Sequence, residues 1–390
     1  MLKSFMYIKN YKRVIIILAF FLVYISMYLI HNAYGTLCVI KSNSGDNGSS
    51  NKRDIEASKL FKGNNSNLFD LYSNVTTSMP GHKTEPHDET SFRDNNNNTH
   101  VEYEWTTNID LDDIFISVKT TQKYHDSRLK AIVKTWFQLA RDQVWFFTDY
   151  EDDAYQNLTN HHMVQTNCSR GHFRQGLCCK MNKEFDFFLS TSKKFWCHFD
   201  DDNYVNIPTL VRVLKEYHAY QDWYLGKPSI SSPIEIFLNP AIKSLESKKR
   251  AKDNQENQKI KFWFATGGAG FCISRALAIK MMPLASNGKF VTIGDKIRFP
   301  DDVTLGFIVE YLLKVPLTVV NSFHSHLERM DHIDVDSFRD QISFSYANIK
   351  DDWNVVRIDG FDAGEDPYRF FSLHCYLFPY FDYCKNRSLL

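Results

Sequence analysis

The sequence lacks the features that mark several common functional classes. Its 46 basic side chains balance its 46 acidic ones, so no overall basic field favours a nucleic-acid partner, and there is no acidic tail. The glycine run at residues 266–270 has neither the lysine of a Walker loop nor the spacing of a dinucleotide fingerprint. The eight cysteines show no recurring C-x-x-C spacing, so they do not indicate a zinc site. A chain of this length and apolar content is globular, with room for about two domains.

Charge is also missing from one long run near the amino terminus. Residues 14–30 contain no charged side chain, whereas residues 1–13 carry four cations and no acid. These cations are Lys3, Lys9, Lys12 and Arg13. Seventeen helical residues span about 25 Å, so a short extension of the helix would cross a bilayer. The preceding positive charge places the amino terminus in the cytosol and the rest of the chain in the lumen.

We therefore expect residues 1–13 to be a cytoplasmic tail and residues 14–30 to be the transmembrane signal-anchor of a single-pass type II protein. The alternative is a cleaved signal peptide with a weak cleavage site at residues 33–35. Residues 31–107 are rich in Asn, Ser, Lys and Asp without sustained periodicity. This composition predicts a flexible luminal stem, followed by a folded domain over residues 108–390.

Cysteines and glycosylation sequons agree with a luminal location. Seven of the eight cysteines lie between Cys168 and Cys384, and an oxidising lumen would pair most of them. Seven Asn-x-Ser/Thr triplets occur in the chain. Those in the folded part make Asn157, Asn167 and Asn386 the candidates for glycosylation.

The folded part alternates between strand and helix patterns. Short β-branched and aromatic runs predict strands at residues 114–118, 144–147, 195–199, 223–226 and 262–265. Apolar residues at helical spacing predict helices at residues 125–140, 181–189, 210–217, 274–282 and 303–313. This order indicates an α/β fold with a mostly parallel, doubly wound sheet that binds ligands at the carboxyl ends of its strands.

The most informative stretch is residues 195–206, an apolar strand that ends in Asp200, Asp201 and Asp202. In an extended chain Asp200 and Asp202 point to one side and Asp201 to the other, so the three cannot share one role. Three adjacent anions at a ligand-binding sheet edge favour a bound cation, and their oxygens suit magnesium, manganese or calcium. The alternative is an acidic turn that caps the following helix.

Three further clusters are ambiguous when each is taken alone. The glycines of residues 266–270 indicate either a tight turn or a close backbone contact with something else. Asp301 and Asp302 begin a helix, where carboxylates are ordinary caps. His324 and His326 are spaced to lie on one side of an extended segment, and such a pair is a metal-ligand candidate in a chain with an acidic triplet.

Taken together, these motifs closely resemble those of the Fringe glycosyltransferases. The resemblance is carried by residues 195–206, 262–272, 300–302, 323–328 and 372–375, and it runs from about residue 114 to residue 384. It implies a glycosyltransferase-A type fold, that is, a Rossmann-like and mostly parallel sheet flanked by helices. It also implies a Golgi enzyme that transfers N-acetylglucosamine from UDP-N-acetylglucosamine, with Mn²⁺, in β1,3 linkage to O-linked fucose on EGF-like repeats, notably those of Notch.

The resemblance also implies roles for particular residues. Asp202 and His326 would bind manganese, Arg128 and Asp201 would contact the donor nucleotide, and Asp302 would be the catalytic base. It further implies disulfides that pair Cys168 with Cys179, Cys197 with Cys272 and Cys375 with Cys384. The chain departs from the family pattern at Cys178, an additional thiol, and in a polar insert at residues 240–260. The basic residues of that insert predict a solvated loop, or alternatively a patch for an anionic partner.

The chemistry that the resemblance implies is self-consistent. A donor with an α-linked sugar that gives a β product must invert at the anomeric carbon, which requires one general base on the acceptor hydroxyl. A divalent cation would neutralise the charge that develops on the diphosphate, and one carboxylate with one imidazole suits manganese better than magnesium.

Three alternative functions are a related β1,3-galactosyltransferase acting on another glycoprotein acceptor, a catalytically inactive luminal binding protein and a luminal calcium-binding module. The tail at residues 373–384 favours Fringe over the galactosyltransferase. The presence of Asp202, His326 and Asp302 argues against loss of catalysis, and a calcium module would not need the histidine.

Overall fold

The computed structural model describes residues 109–237, 240–245, 259–350 and 352–386. The strands are β1 (Ile114–Lys119), β2 (Val144–Thr148), β3 (Met163–Gln165), β4 (Phe195–Asp200), β5 (Tyr204–Val205), β6 (Tyr224–Gly226), β7 (Ile234–Phe237), β8 (Lys259–Phe262), β9 (Phe271–Ser274), β10 (Thr318–Val319), β11 (Ser343–Phe344), β12 (Ala347–Ile349) and β13 (Asp352–Asn354). The α-helices are α1 (Lys130–Lys134), α2 (Asp153–Leu158), α3 (Arg174–Ser190), α4 (Ile207–Leu214), α5 (Pro240–Lys243), α6 (Arg275–Ala285), α7 (Lys289–Ile297), α8 (Asp301–Gly306), α9 (Phe370–Leu377) and α10 (Asp382–Asn386).

The main sheet has seven strands in the order β10-β6-β9-β4-β1-β2-β3. Its neighbours are parallel except at β9, which runs antiparallel to both β4 and β6. The prediction of a mostly parallel sheet flanked by helices is confirmed. The antiparallel strand β9 follows directly after the glycine turn at residues 267–270. Three two-stranded sheets pair β5 with β11, β7 with β8 and β12 with β13.

Both faces of the sheet are covered, as expected for central strands that are apolar throughout. In β4, Phe195, Cys197 and Phe199 pack into one core. Trp196, from the alternate position, packs into the core on the other face. Every residue of β1 from Ile114 to Val118 is likewise buried. This continuous burial fixes the position of the ends of both strands, where the polar residues begin.

The helices depart from the predictions at their boundaries. The helix predicted at residues 125–140 is a π-helical turn (His125–Leu129), then α1, then a 3₁₀ turn (Trp136–Leu139). It is interrupted at Thr135, whose hydroxyl donates to the carbonyl of Ala131 over 2.7 Å, a local hydrogen bond that competes with the helical pattern. The predicted cap at Ser274 is present, since its Oγ accepts from the amide of Leu277 over 3.3 Å.

Two other segments correct the sequence-based assignment. The strand predicted at residues 262–265 ends at Phe262, because β8 pairs with β7 outside the main sheet. The helix predicted at residues 303–313 begins earlier, as α8, and continues as a π-helical segment (Phe307–Leu312). Within residues 109–386 as described, no helix is long and apolar enough to cross a membrane. The predicted tail, anchor and stem at residues 1–107 lie outside the described part of the chain.

Candidate active site

The candidate site lies where several segments meet at one edge of the main sheet. The carboxyl end of β4 supplies the aspartate triplet, and the neighbouring end of β1 supplies Lys119. The glycine turn before β9, the first residues of α8 and the loop at residues 323–328 lie against them. Strand β4 ends at Asp200, and Asp201 and Asp202 form a turn. The turn gives each of the three carboxylates a different set of neighbours.

Two carboxylates of the triplet are held by cations. Oδ1 of Asp200 lies 3.0 Å from Nζ of Lys119. Oδ1 of Asp201 lies 2.8 Å from Nη1 of Arg128, and its Oδ2 accepts from the hydroxyl of Thr120 over 2.8 Å. Burial raises the pKa of Asp201, and the nearby guanidinium opposes that rise. The structure thus joins Arg128 and Asp201, the two residues that the resemblance assigns to the donor.

Asp202 is different, because its contacts with basic side chains are longer than those of its two neighbours. Its Oδ2 lies 3.5 Å from Arg128 and 4.0 Å from Nδ1 of His326. Oδ1 of Asp202 and Nδ1 of His326 are both buried without a hydrogen-bond partner. Burial and the charges of Asp200 and Asp201 raise the pKa of Asp202 to about 8, while burial lowers the pKa of His326. A carboxylate destabilised by neighbouring anions and a neutral imidazole are suited to share a divalent cation.

The protein supplies few ligands for such a cation. Among the described residues, no group of three or more His, Cys, Asp or Glu side chains is arranged to hold a metal ion. Magnesium and manganese sites with one or two protein ligands are completed by water and substrate phosphates. The residues present therefore fit a cation that binds together with a diphosphate better than one that is permanently caged.

His324 does not join His326, although the spacing predicts that they lie on one side. Its Nδ1 lies 3.2 Å from Oε2 of Glu328, and its Nε2 lies 2.9 Å from Oε1 of Gln341. Although burial opposes the effect, His324 and Lys227 lower the pKa of Glu328 to about 2. The chain turns at residues 326–327, which separates the two imidazoles. His324 holds the loop in place, and His326 alone faces the aspartates.

The glycine turn packs against the side chains of the site. The amide of Gly267 donates to Oδ2 of Asp302 over 3.1 Å, and a Cβ on Gly268 would lie 3.2 Å from Cε1 of His326. Gly270 has a φ of 85°, and a Cβ there would lie 2.4 Å from the ring of Phe199. Glycine is therefore required at these positions because neighbouring atoms leave little or no room for a side chain. Two of the glycines contact candidate site residues directly.

Asp301 and Asp302, at the start of α8, have distinct environments. Oδ2 of Asp301 lies 2.6 Å from Nζ of Lys119. Asp302 accepts from two amides, those of Gly267 and Val303, over 3.1 and 2.8 Å. Burial and the charge of Asp301 raise the pKa of Asp302 to about 6. A carboxyl group poised near neutral pH has the proton affinity that general base catalysis needs.

Sequence reasoning missed a buried set of charges beneath this site. Glu184 and His198 have fully buried side chains, and Oε2 of Glu184 lies 2.5 Å from Nδ1 of His198. Lys119 contacts both Asp200 and Asp301. One available signal was that Lys119 ends a buried strand, at the edge where the carboxylates were expected.

The structure also shows where the cysteines and the sequons lie. The structure forms the disulfides Cys168–Cys179, Cys197–Cys272 and Cys375–Cys384. Cys197–Cys272 joins β4 to β9, and within the described chain Cys178 is a buried free thiol. Asn157 and Asn167 are exposed, and Asn386 is the last residue of α10.

Comparison with known proteins gives a consistent result. A family model described as Fringe-like matches residues 109–381. The chain is 64% identical over 278 residues to the Fringe glycosyltransferase of Drosophila melanogaster, a match that covers 71% of this chain and 65% of that protein. It is 45% identical over 282 residues to the β1,3-N-acetylglucosaminyltransferase radical fringe of Gallus gallus, covering 72% and 73% of the two chains. A solved structure of mouse xyloside xylosyltransferase 1 aligns with a TM-score of 0.31 and 9% identity over 53% of this chain and 85% of that one, which is too low to bear on the fold.

Proposed function

The chain belongs to the Fringe family of glycosyltransferases, and from this premise we propose that it transfers N-acetylglucosamine from UDP-N-acetylglucosamine, in β1,3 linkage, to O-linked fucose. The acceptors would be EGF-like repeats of Notch-type receptors, so that the enzyme modulates Notch signalling. The matched region spans 65% of the length of the Drosophila relative. The bird relative is itself named a β1,3-N-acetylglucosaminyltransferase, which supports the sugar and the linkage.

The observation that carries this proposal is the arrangement around the glycine turn. Gly267 contacts Asp302, and the next residue, Gly268, faces His326. His326 in turn lies 4.0 Å from Asp202. A candidate base and a candidate cation site therefore contact consecutive residues of one buried turn. An inverting transfer needs this pairing, with a base for the acceptor beside a site for the donor diphosphate.

In this mechanism Asp302 accepts the proton of the acceptor hydroxyl as that oxygen attacks the anomeric carbon. The attack occurs in line with the departing diphosphate, and one such displacement inverts the configuration. The amides of Gly267 and Val303 orient the carboxylate. Its raised pKa gives it the affinity to hold the proton while the ionised form is still populated near neutral pH.

Asp202 and His326 would hold Mn²⁺, since both present a buried, unpartnered ligand atom. When bound, the cation neutralises the charge that develops on the leaving diphosphate. Arg128 and Asp201 would contact the donor nucleotide. The guanidinium of Arg128 is positioned for this by Asp201 and by the ring of Tyr124, whose centroid is 3.9 Å away. The sheet is mostly parallel and the candidate site residues lie at the carboxyl ends of its strands. This arrangement supports a glycosyltransferase-A type fold.

A transfer assay with defined donors and acceptors tests the proposal. The purified full-length chain would be incubated with Mn²⁺, a fucosylated EGF-like repeat, and either UDP-N-acetylglucosamine or UDP-galactose. We expect N-acetylglucosamine to be added to the fucose in β1,3 linkage and the unfucosylated repeat to be untouched. Transfer from UDP-galactose alone would instead favour the β1,3-galactosyltransferase, and no transfer from either donor would favour an inactive binding protein.

We also propose that the protein is a single-pass type II protein of the Golgi membrane with its catalytic domain in the lumen. The cations before residue 14, the three disulfides and the exposed Asn157 and Asn167 support this orientation. A tag at residue 1 should be digested by protease added to sealed microsomes, and glycosidase should reduce the mass of the protein. Protection of the tag, or no change in mass, would contradict the orientation.

A further inference from the structure

A network of alternating acidic and basic side chains lies buried beneath the candidate site. It begins at Glu184 in α3, whose Oε2 lies 2.5 Å from Nδ1 of His198. Nε2 of His198 lies 3.4 Å from Oδ1 of Asp200. Nζ of Lys119 then lies 3.0 Å from the same oxygen of Asp200 and 2.6 Å from Oδ2 of Asp301. Acidic and basic side chains alternate along the whole network. Its last member, Asp301, immediately precedes the candidate catalytic base Asp302.

The two basic members of this network, His198 and Lys119, are protonated at neutral pH. Although burial opposes the effect, the charge of Glu184 raises the pKa of His198 to about 9. Again against the effect of burial, the charges of Asp200 and Asp301 raise the pKa of Lys119 well above its usual value. The side chains of Lys119 and Asp301 are only 10% and 6% exposed, so solvent screens this contact little.

Stability alone is a weak explanation for so many buried charges. Removing ions from water costs several kcal/mol for each, so replacing a buried ion pair by apolar side chains is often neutral or stabilising. What such a network does provide is a fixed geometry. Here Lys119 touches two elements at once, the end of β4 and the start of α8. That contact joins the start of α8 to the strand end that carries the aspartate triplet.

We propose that Lys119 is a positioning residue, which fixes the start of α8 and thereby holds the carboxylate of Asp302 in place beside the carboxyl end of β4. This inference rests on the proposed role of Asp302 as the base. An error of about 1 Å in the position of a reacting group can lower the rate by about a hundredfold. A cation that bridges β4 to the helix carrying the base therefore has a direct effect on turnover.

The groups around Asp302 make the test specific. Its carboxylate accepts from the amides of Gly267 and Val303, and it interacts electrostatically with Asp301 in α8, Lys119 in β1 and the phenol of Tyr224 in β6. Asp301 raises the pKa of Asp302, whereas Lys119 lowers it. Removing one charge or the other should therefore move the acidic limb of the pH–rate profile in opposite directions.

The experiment compares Lys119→Met, Lys119→Arg and Asp301→Asn with a matched control, Lys194→Met. Nζ of Lys194 lies 3.0 Å from Oδ2 of Asp113, so the control removes a single, more exposed lysine–aspartate pair just before the start of β1 and β4. For each full-length variant the measurements are kcat from pH 5 to 9, the affinity for UDP in the presence of Mn²⁺, and the unfolding temperature. Asp302→Asn is measured in parallel.

We expect Lys119→Met to lower kcat by about ten- to a hundredfold, to shift the acidic limb to higher pH and to leave UDP affinity unchanged. Asp301→Asn should lower kcat and shift the acidic limb to lower pH. Lys119→Arg should recover part of the kcat that Lys119→Met loses. Lys194→Met should match the wild type. Wild-type kcat in Lys119→Met, or the same loss in Lys194→Met, would overturn the inference.

The remaining outcomes are also decisive. If Lys119→Met does not fold, Asp301→Asn carries the test, and a wild-type kcat or an unshifted limb in that variant would overturn the inference. Full turnover in Asp302→Asn would instead refute the proposed base itself. Loss of turnover in Asp302→Asn together with normal turnover in Lys119→Met would refute only the positioning role.

Discussion

Gly268 and His326 lie so close together that the glycine has no room for a side chain unless the histidine moves. A Cβ on Gly268 would lie 3.2 Å from Cε1 and 3.4 Å from Nδ1 of His326. One residue earlier, the amide of Gly267 donates to Asp302 over 3.1 Å. The turn therefore sets the position of the candidate metal ligand relative to the candidate base.

Gly268→Ala should raise the Mn²⁺ concentration that the enzyme needs for transfer. The added methyl group must displace the imidazole by a few tenths of an ångström, since contacts of about 3.2 Å are tighter than most. The measurement is the Mn²⁺ concentration that gives half-maximal transfer, which should rise with little change in kcat at saturating metal. Gly288→Ala is the control, because nothing lies within 4 Å of a Cβ there and its φ of 82° makes the change costly only to stability. An unchanged requirement for Mn²⁺ in Gly268→Ala would show that His326 is not a ligand.

Asp202→Ala should abolish transfer and leave the chain folded. The substitution removes a carboxyl group whose pKa is raised to about 8 by burial and by Asp200 and Asp201, so it removes a metal ligand without removing a stabilising charge. The unfolding temperature should stay the same or rise. Normal activity at saturating Mn²⁺ would refute the assignment of this residue.

Turnover should fall as the pH drops through about 6. Asp302 accepts a proton only when ionised, and its pKa is raised from 3.8 to about 6, so the active form is lost below that pH. The same shift means that the folded chain binds this proton more tightly than the unfolded chain. The contribution of Asp302 to stability therefore decreases as the pH rises from 3.8 to about 6. A pH–rate profile with its acidic limb near pH 4 would contradict this environment for the base.

Much of the fold could be predicted because its signals are local. The strand β4 and the carboxylates at its end follow from an apolar run beside three aspartates, and the sheet follows from alternating strands and helices. The positioning role of Lys119 was not predictable in this way. Its partner Asp301 is 182 residues further along the chain, and only the packing of α8 against the sheet brings them together.

Two other features depend on turns, which residue periodicity does not capture. The two-residue spacing of His324 and His326 predicts a shared side only if the chain stays extended, and it turns at residues 326–327. The antiparallel direction of β9, which follows the turn at residues 267–270, is likewise not encoded in the residues of the strand. Both are set by contacts between segments that are distant in sequence.

Removing the disulfide between β4 and β9 should cost more stability than removing the one near the carboxyl terminus. The Cys197–Cys272 bridge spans 75 residues and Cys375–Cys384 spans nine. Loop-closure entropy then predicts losses of about 4.5 and about 2.5 kcal/mol for the double alanine variants. Denaturant unfolding measures both. Equal losses, or peptide mapping that finds Cys197 free, would contradict this pairing and its role.

The most direct test of the account is the rate of N-acetylglucosamine transfer to a fucosylated EGF-like repeat by Asp302→Asn. Asparagine keeps the size of the side chain and can still accept from one of the two amides that donate to Asp302, those of Gly267 and Val303, but it cannot take the acceptor proton. A lost helix cap would cost only about 1 kcal/mol of stability, whereas a lost base lowers turnover by about a hundred- to ten-thousandfold. We predict normal folding, normal UDP binding and almost no transfer. Wild-type turnover in Asp302→Asn, with turnover lost instead in Asp301→Asn, would show that the neighbouring carboxylate is the base, and wild-type turnover in both variants would contradict the mechanism.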